Sequence, residues 1–492
     1  SSLFIKGWLV PLKTTDDKNE ASLIVISSIF LIGFFTFLAR DFTQEDALIY
    51  YRYIRNFLEG NGLVYNTGER LNALTSPLYT YISLVACSLT REIRHSQLIL
   101  SAIFFFTFIF SFYKVLRSDV PQVVRFSIPF LLASNVYFYF TFGLETTLFL
   151  SLIAVNIYLF KINNYFWLGI SSACLLLTRG EGIFILLALF FLHLYEKRPF
   201  PNWKYFIVPI AMLLLYFGFN WFYFGKPFPN TFAAKIYHGK SGLMGEWPTF
   251  LGGKRQFFET FFNNNIILAL MLGSAAVLGL IFNFKNRYVL AFFGALIAYN
   301  SFYIFMNIPN YYWYHSYNYF YLYFLVTLFL SCLYRKIHKK SPLIATTLLV
   351  IYIVALFSQQ FSISLIRLQG IDGIKQYVTI GKWLRNNTPD DAQIASVEIG
   401  HIGWYSRRKI IDIMGLVNPG IAKWLGEHKY NKWLDHYQPD FFVVNNPLWS
   451  HHQSIRKLLN ENKLTLVESF YSDTYRIYRM KKDYLPVLDN HW

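Results

Sequence analysis

Long apolar runs separated by short polar connections fill the first three quarters of the chain. They fall near 22–40, 97–114, 122–140, 144–160, 164–178, 182–196, 204–222, 264–283, 288–306, 317–334 and 341–358. Several approach the ~20 residues that cross a bilayer as a helix. A further run, 78–90, is short, and the charge pattern decides how to read it. The basic connections are Lys114/Arg117/Arg125, Glu196–Lys204, Lys285/Arg287 and Arg335–Lys340. Short basic loops face the cytoplasm. With Lys6, Lys13 and Lys18 also inside, parity is consistent only if 78–90 does not cross. The pattern therefore predicts about eleven transmembrane helices with the amino terminus inside. It also predicts an outer-leaflet interfacial helix at 78–90 and an outside location for everything after about 360.

Past 362 the pattern changes to that of a soluble α/β domain. Gly373–Asn387 reads as a helix stopped by Asn387-Thr388-Pro389. Gln393–Glu398, Lys409–Ile413, Phe441–Asn445, Leu464–Phe470 and Tyr475–Met480 read as strands, with a helix over about Ser454–Glu461. The expected division is a membrane part, 1–361, with a first external loop at 41–95, followed by an extracytoplasmic domain, 362–492. No Gly-rich phosphate loop and no CxxC pair occurs in that domain.

Composition sharpens this picture. Of 492 residues, 54% are hydrophobic, 20% aromatic and 15% charged. The 51 Phe, 36 Tyr and 12 Trp suit wide interfacial belts. The formal charge of +17 would suit nucleic acid, but many basic residues sit in short loops between apolar runs, so no nucleic-acid partner is expected. Cys87, Cys174 and Cys332 lie far apart in apolar contexts and read as small hydrophobes. Ser1–Glu20 is polar and the first apolar run lacks a small-residue cleavage site, so no cleavable leader is expected.

Chemistry concentrates in the outer loops. Segment 41–77 follows the first apolar run and opens with adjacent carboxylates, Glu45 and Asp46. Carboxylates at the mouth of a membrane helix are costly and mark function. Glu45, Ile49, Arg52 and Asn56 share one helical face, and Asp46, Tyr50, Tyr53 and Phe57 the neighbouring one. Adjacent residues point about 100° apart, so the two carboxylates cannot do the same job on one rigid helix: one serves chemistry while the other structures the loop, or both bind a divalent ion. Gly60, Gly62 and Gly68 allow tight turns that bring Asn66 and Arg70 over a cavity. The same outer face collects Glu145, Arg179/Glu181, Lys226/Lys235 and His315, although Arg179 and Glu181 could instead pair to hold helix ends.

The block EDALIYYRYIRNFLEGNGLVYNTGERLNALTSPLY (45–79) resembles the first external loop of GT-C superfamily glycosyltransferases, in the branch of the mycobacterial terminal arabinofuranosyltransferases. GLETTLF (143–149), LLTRGEGIF (176–184), YFGKPFPNTFAAK (223–235) and ASVEIGHIGWYSRRKIIDIMGLVNP (395–419) match in order. Two positions depart from the pattern: Glu45 stands where relatives often carry Asp, and LTRGEG where LTRPEG is commoner. The resemblance implies an α-helical polytopic inner-membrane transferase of GT-C type. It would use a polyprenyl-phosphate-linked sugar donor and a glycan or glycolipid acceptor of the cell envelope, at a periplasmic site. Such chemistry needs a carboxylate base and groups that receive a leaving phosphate. Asp46 or Glu45 would be the base, and Arg52, Arg70, Arg179, Lys235 and His315 are the phosphate candidates. Asn66, Glu145 and Glu181 would support the site, and Glu398, His401, Asp412 and Asn418 would border the acceptor. Competing readings are a flippase for polyprenyl-linked glycans and a non-catalytic scaffold of the kind linked to flagellar control.

Overall fold

The computed structural model of the chain describes residues 15–245, 247–251, 262, 265–369 and 372–481. Lys6 and Lys13, which enter the orientation argument, lie outside the described residues, as does most of 252–264 in the predicted external segment 223–262. The protein is mainly helical: α1 (Thr15–Leu38), α2 (Glu45–Leu58), α3 (Pro77–Thr90), α4 (Ile93–Leu116), α5 (Thr146–Lys161), α6 (Tyr165–Thr178) and α7 (Ile183–Tyr195) build the first half. The second half holds α8 (Ile207–Phe224), α9 (Asn230–Lys240), α10 (Ile266–Asn283), α11 (Arg287–Phe305), α12 (Ser316–His338), α13 (Pro342–Gln369), α14 (Asp372–Asn387) and α15 (Ile399–Ser406).

Among the described residues, seven helices are long and apolar enough to cross a membrane, and five more apolar helices are shorter. Their outer faces carry large apolar side chains: Phe222 is 88% exposed and Phe30 71%. Continuous exposed apolar surface of this kind belongs against lipid, and the chain is a multi-pass membrane protein. Inside, α4 packs along α5, α10 along α12, and α7 along α11.

The run 122–140 departs from the expected single span. It is three short helices, Gln122–Arg125, Ile128–Ala133 and Val136–Phe140. Side chains break it: Pro129 sits in the first turn of the second piece, where its missing N–H costs nothing. Asn135 then caps the third, its Oδ1 accepting from Tyr137 N at 2.9 Å. The helix over the 78–90 run, Pro77–Thr90, has 14 residues, a length of about 21 Å and so short of the ~30 Å hydrocarbon core. It packs on α2, α4 and α6 and leaves Tyr81, Val85 and Leu89 exposed.

The carboxyl-terminal part carries a five-stranded sheet, with β1 (Gln393–Ser396), β2 (Lys409–Asp412), β3 (Phe441–Asn445), β4 (Leu464–Phe470) and β5 (Tyr475–Met480) in the order β2-β1-β3-β5-β4. β1 pairs in parallel with β2 and β3, and the β3–β5 and β5–β4 pairs are antiparallel. All five expected strands are present.

This sheet domain is locked to the segment 45–79 that follows α1. Helix α15 lies between α2 and α14. The Arg52 guanidinium donates to the carbonyls of Tyr65 (2.8 Å), Gly403 (2.8 Å) and Arg408 (2.7 Å), and to Asn66 Oδ1 at 3.1 Å. Tyr65 OH donates to Ile399 O at 2.7 Å, and Asn66 Nδ2 to Ile410 O at 2.8 Å. The approach is close enough to require glycine. A Cβ on Gly403 would stand 2.1 Å from Tyr65 OH and 2.8 Å from Arg52 Nη1. Gly403→Ala is therefore expected to destabilise this junction by about 1–3 kcal/mol through overpacking. Thermal unfolding of the purified variant should show a lowered Tm, and an unchanged Tm would mean that the two parts do not meet this tightly.

Candidate active site

Helix α2 begins at Gln44, whose Oε1 accepts from Ala47 N at 2.9 Å. Glu45 and Asp46 occupy its first turn, where a carboxylate is favoured by the helix dipole, and they diverge. Glu45 leaves for the sheet domain: its Oε1 accepts from Gly400 N (2.5 Å) and His401 N (3.1 Å), while Oε2 meets His401 N at 3.1 Å and the His401 ring at Nδ1. The carboxylate thus supplies the amino-terminal cap that α15 lacks in its own sequence.

Asp46 turns the other way, into a small cavity of ≈ 30 Å³ bounded by Tyr50, Thr75, Glu145, Thr231 and Lys235, with Trp313 and Leu416 at its walls. No hydrogen bond or ion pair holds its carboxylate among the described residues. Burial pushes Asp46 up to about 6; Lys235 opposes this, while Glu45, Glu145 and Asp412 add to it.

Lys235, on α9, faces Asp46 across the cavity. Its ammonium is hydrogen-bonded to the Tyr314 hydroxyl and lies 4.8 Å from the Tyr314 ring centroid and 5.6 Å from that of Tyr311. Burial lowers its pKa and the charge of Asp46 counters that effect. The sheet domain helps to place α9: Asn230 Nδ2 donates to Gly415 O (3.3 Å) and Leu416 O (3.2 Å), and His238 Nε2 meets Met414 O at 2.6 Å. Those carbonyls belong to a turn built by Asp412, which accepts from Met414 N (2.8 Å), Leu416 N (2.5 Å) and Val417 N (3.3 Å), and by Asn418, which accepts from Asp412 N at 2.7 Å.

Arg179 is held behind the cavity. Its Nη1 donates to Glu145 Oε1 at 2.6 Å, and its Nη2 to Glu181 Oε1 at 3.1 Å and Tyr303 OH at 3.0 Å. The Arg179 side chain is 1% exposed and that of Glu145 4%. Tyr50 OH also donates to Glu145, at 3.3 Å. Both faces of the guanidinium fork are thereby engaged by carboxylates, the arrangement that the sequence left open as a helix-end brace.

The remaining predicted residues separate. Arg52 spends its donors on carbonyls at the domain junction, so it holds the loop and does not line the cavity. Asn66 sits at the same junction, bonded to Ile410 and Arg52. Arg70 is exposed and lies over the Tyr223 ring, 5.2 Å from its centroid. His315 is buried between Asn310 Oδ1 and Asn318 Nδ2, each at 2.9 Å. His401 is occupied by Glu45. Glu398 is half-buried at the start of α15, and burial, followed by the charges of Glu45 and Asp46, pushes it up to about 8. Among the described residues no group of three or more His, Cys, Asp or Glu side chains is placed to hold a metal ion. With Glu45 committed to α15, the acidic pair does not fit a shared divalent cation.

Sequence reasoning passed over Thr75, Thr231, Trp313 and Tyr314. Thr75 lies within the quoted 45–79 block, Thr231 within the 223–235 block, and Trp313 and Tyr314 within the aromatic stretch before α12, so a signal existed for all four. Tyr50 was visible, one helical turn after Asp46 on the same face.

Known proteins agree with this architecture. A family profile described as a domain of unknown function (DUF8728) matches residues 368–484. The crystal structure of ArnT from Cupriavidus metallidurans in the apo state superposes with a TM-score of 0.58 over 92% of this chain and 97% of that one, at 10% identity. The same enzyme bound to undecaprenyl phosphate gives a TM-score of 0.56 over 93% of this chain and 97% of that one, also at 10% identity. A terminal beta-(1->2)-arabinofuranosyltransferase of Corynebacterium glutamicum is 39% identical over 113 residues, which are 22% of this chain and 16% of that protein. The chain thus matches about a sixth of that relative's length. The chain is a multi-pass membrane protein similar to ArnT in fold and, over its matched segment, to an arabinofuranosyltransferase in sequence.

The two cations of the site predict different phenotypes. Arg179→Ala strands Glu145 and Glu181 in a buried setting, a loss of about 3–5 kcal/mol. Folded yield and Tm in detergent should fall sharply. Lys235→Met, which removes a desolvated cation that has no carboxylate hydrogen bond, should leave Tm close to that of the parent protein. Equal losses for the two variants would contradict this assignment.

Proposed function

We propose that the protein is an inverting glycosyltransferase that moves a sugar from a polyprenyl-phosphate donor to a hydroxyl of a cell-envelope glycan or glycolipid. The observation that carries this reading is the unbonded carboxylate of Asp46, opposite the Lys235 ammonium, in one cavity at one end of the helical bundle. The GT-C architecture and the undecaprenyl phosphate seen on the fold relative support the lipid-phosphate class of donor. The matched arabinofuranosyltransferase segment supports sugar transfer.

The acceptor hydroxyl gives its proton to Asp46 as its oxygen attacks the anomeric carbon. The bond from that carbon to the phosphate oxygen breaks on the opposite face, and polyprenyl phosphate leaves with the electron pair. Lys235 faces the charge that develops on this leaving group. A base with a pKa of about 6 is ionised at neutral pH and still basic enough to accept a proton. Glu145 and Arg179 neutralise each other beside it, which leaves Asp46 and Lys235 as the working pair. A flippase would need polar groups along a path through the bilayer midplane; here the charges gather at one end.

Asp46→Asn should keep the fold and lower transfer from a polyprenyl-phosphate sugar by about 10²–10⁴-fold. Glu45→Gln should lower Tm more than it lowers turnover. In the parent protein kcat/KM should fall about tenfold per pH unit below about 6, since the base must be unprotonated. Full turnover by Asp46→Asn, or a pH profile without that acid limb, would reject Asp46 as the base.

On the same reading the protein sits in a bacterial inner membrane with the sheet domain that follows α13 on the outer face; α13 runs to Gln369, seven residues past the expected boundary at 362. Gln453 is exposed on the helix Gln453–Asn460. Gln453→Cys, with Cys87, Cys174 and Cys332 replaced by serine, should react with an impermeant maleimide in cells whose outer barrier alone has been opened. Protection until the inner membrane is lysed would reverse the orientation.

A further inference from the structure

A larger hollow lies apart from the Asp46 cavity. It is an apolar groove of ≈ 430 Å³ between α6, α7 and α8, with Leu168, Ala173, Leu176, Leu189 and Phe206 among its lining residues. Helices α6 and α7 meet at Arg179–Gly182, beside the catalytic cavity, so their far ends, Tyr165 and Tyr195, mark the opposite end of the bundle. The lining of the groove starts near that far end and runs from Tyr165 to Leu176, a length of roughly 16 Å at 1.5 Å per helical residue. That is about half of a ~30 Å hydrocarbon core, the reach of one acyl chain in one leaflet.

Two features at the mouth call for more than loose solvent lipid. His193 lines the groove; it is 6% exposed, and its Nε2 is buried without a hydrogen-bond partner. Its ring is flanked by those of Tyr165 and Phe200, with centroids 5.8 and 5.4 Å away. A buried imidazole nitrogen without a partner is costly, and buried polar groups are as a rule hydrogen-bonded. The connection that frames the mouth, 196–204, carries one acidic residue, Glu196, and three basic ones, Lys197, Arg198 and Lys204. Glu196 is already neutralised by Arg198 and by Arg287, while Lys197 and Lys204 are exposed. The mouth therefore offers net positive charge at the depth where lipid headgroups lie, with one buried polar atom just inside it.

We propose that this groove is a binding site for an anionic phospholipid of the leaflet opposite the catalytic cavity. One acyl chain fills the space between α6, α7 and α8. An ester or phosphate oxygen meets His193 Nε2, and the headgroup charge lies between Lys197 and Lys204. The site braces α6 and α7, the two helices whose other ends present Arg179 and Glu181 behind Asp46. The proposal stands whether or not the transfer reaction is as described above, because its readout is lipid binding.

The test uses the full chain purified in mild detergent, stripped of lipid and titrated with phosphatidylglycerol or phosphatidylcholine. Native mass spectrometry should show one tightly retained phosphatidylglycerol per protein, and Tm should rise with phosphatidylglycerol more than with phosphatidylcholine. His193→Phe, which keeps an aromatic ring and loses the nitrogen, should abolish the preference. Leu176→Trp should fill the groove and lower retention several-fold. Should both variants fail to fold, a photoactivatable phosphatidylglycerol on the parent protein should label peptides within 160–213. Equal retention of the two lipids, undiminished retention in folded variants, retention of polyprenyl phosphate in place of phospholipid, or labelling confined to other segments would each overturn the proposal.

Discussion

The carboxylate of Glu45 is the point on which the two halves of the protein turn. It reaches 355 residues along the chain to cap α15 through Gly400 N and His401 N. Because consecutive residues on a helix diverge by about 100°, committing Glu45 to the sheet domain turns Asp46 away from it and into the cavity. The capping contact therefore does two things at once. It fixes the start of a helix with no cap of its own, and it sets the direction of the neighbouring carboxylate. Arg52, two turns along α2, makes the same junction from the other side by donating to Gly403 and Arg408 carbonyls.

The electrostatics of the cavity follow from which charges are already engaged. Arg179 is closed off by Glu145, Glu181 and Tyr303, so it shapes the wall and holds the end of α6 against that of α7. Asp46 has no such partner, and its raised pKa reflects burial more than repulsion. Lys235 lies on a helix that the sheet domain anchors at Asn230 and His238. The sheet domain therefore acts on both sides of the cavity: through Glu45 on Asp46, and through the 412–418 turn on Lys235. On the proposed reading, loss of that domain would remove the geometry of the base and of the leaving-group cation together.

Local signals were legible and distant ones were not. The strand FFVVN at 441–445 declares itself by apolar β-branched and aromatic residues, and the first-turn acidic pair by its place after an apolar run. That the two carboxylates must serve different ends followed from helix geometry alone; which one turned inward did not, because the deciding partner, α15, lies in another part of the chain. Helix α15 itself, IGHIGWYS, was invisible because two glycines weaken its propensity and its cap comes from Glu45. Arg52 looked like a phosphate ligand because its carbonyl partners at 403 and 408 leave no trace near it in sequence. The break-up of 122–140 was readable in principle from Pro129 and Asn135, but the run of apolar residues concealed it.

A structure with a non-transferable polyprenyl phosphonate analogue of the sugar donor tests the central claim most directly. The account predicts the anomeric carbon on the Asp46 side of the cavity, with Asp46 still unbonded to protein, the phosphonate within hydrogen-bonding distance of Lys235 Nζ, and Glu45 unmoved on Gly400 and His401. A donor headgroup seated away from Asp46, or a Glu45 carboxylate released from α15 and turned toward the sugar, would contradict it.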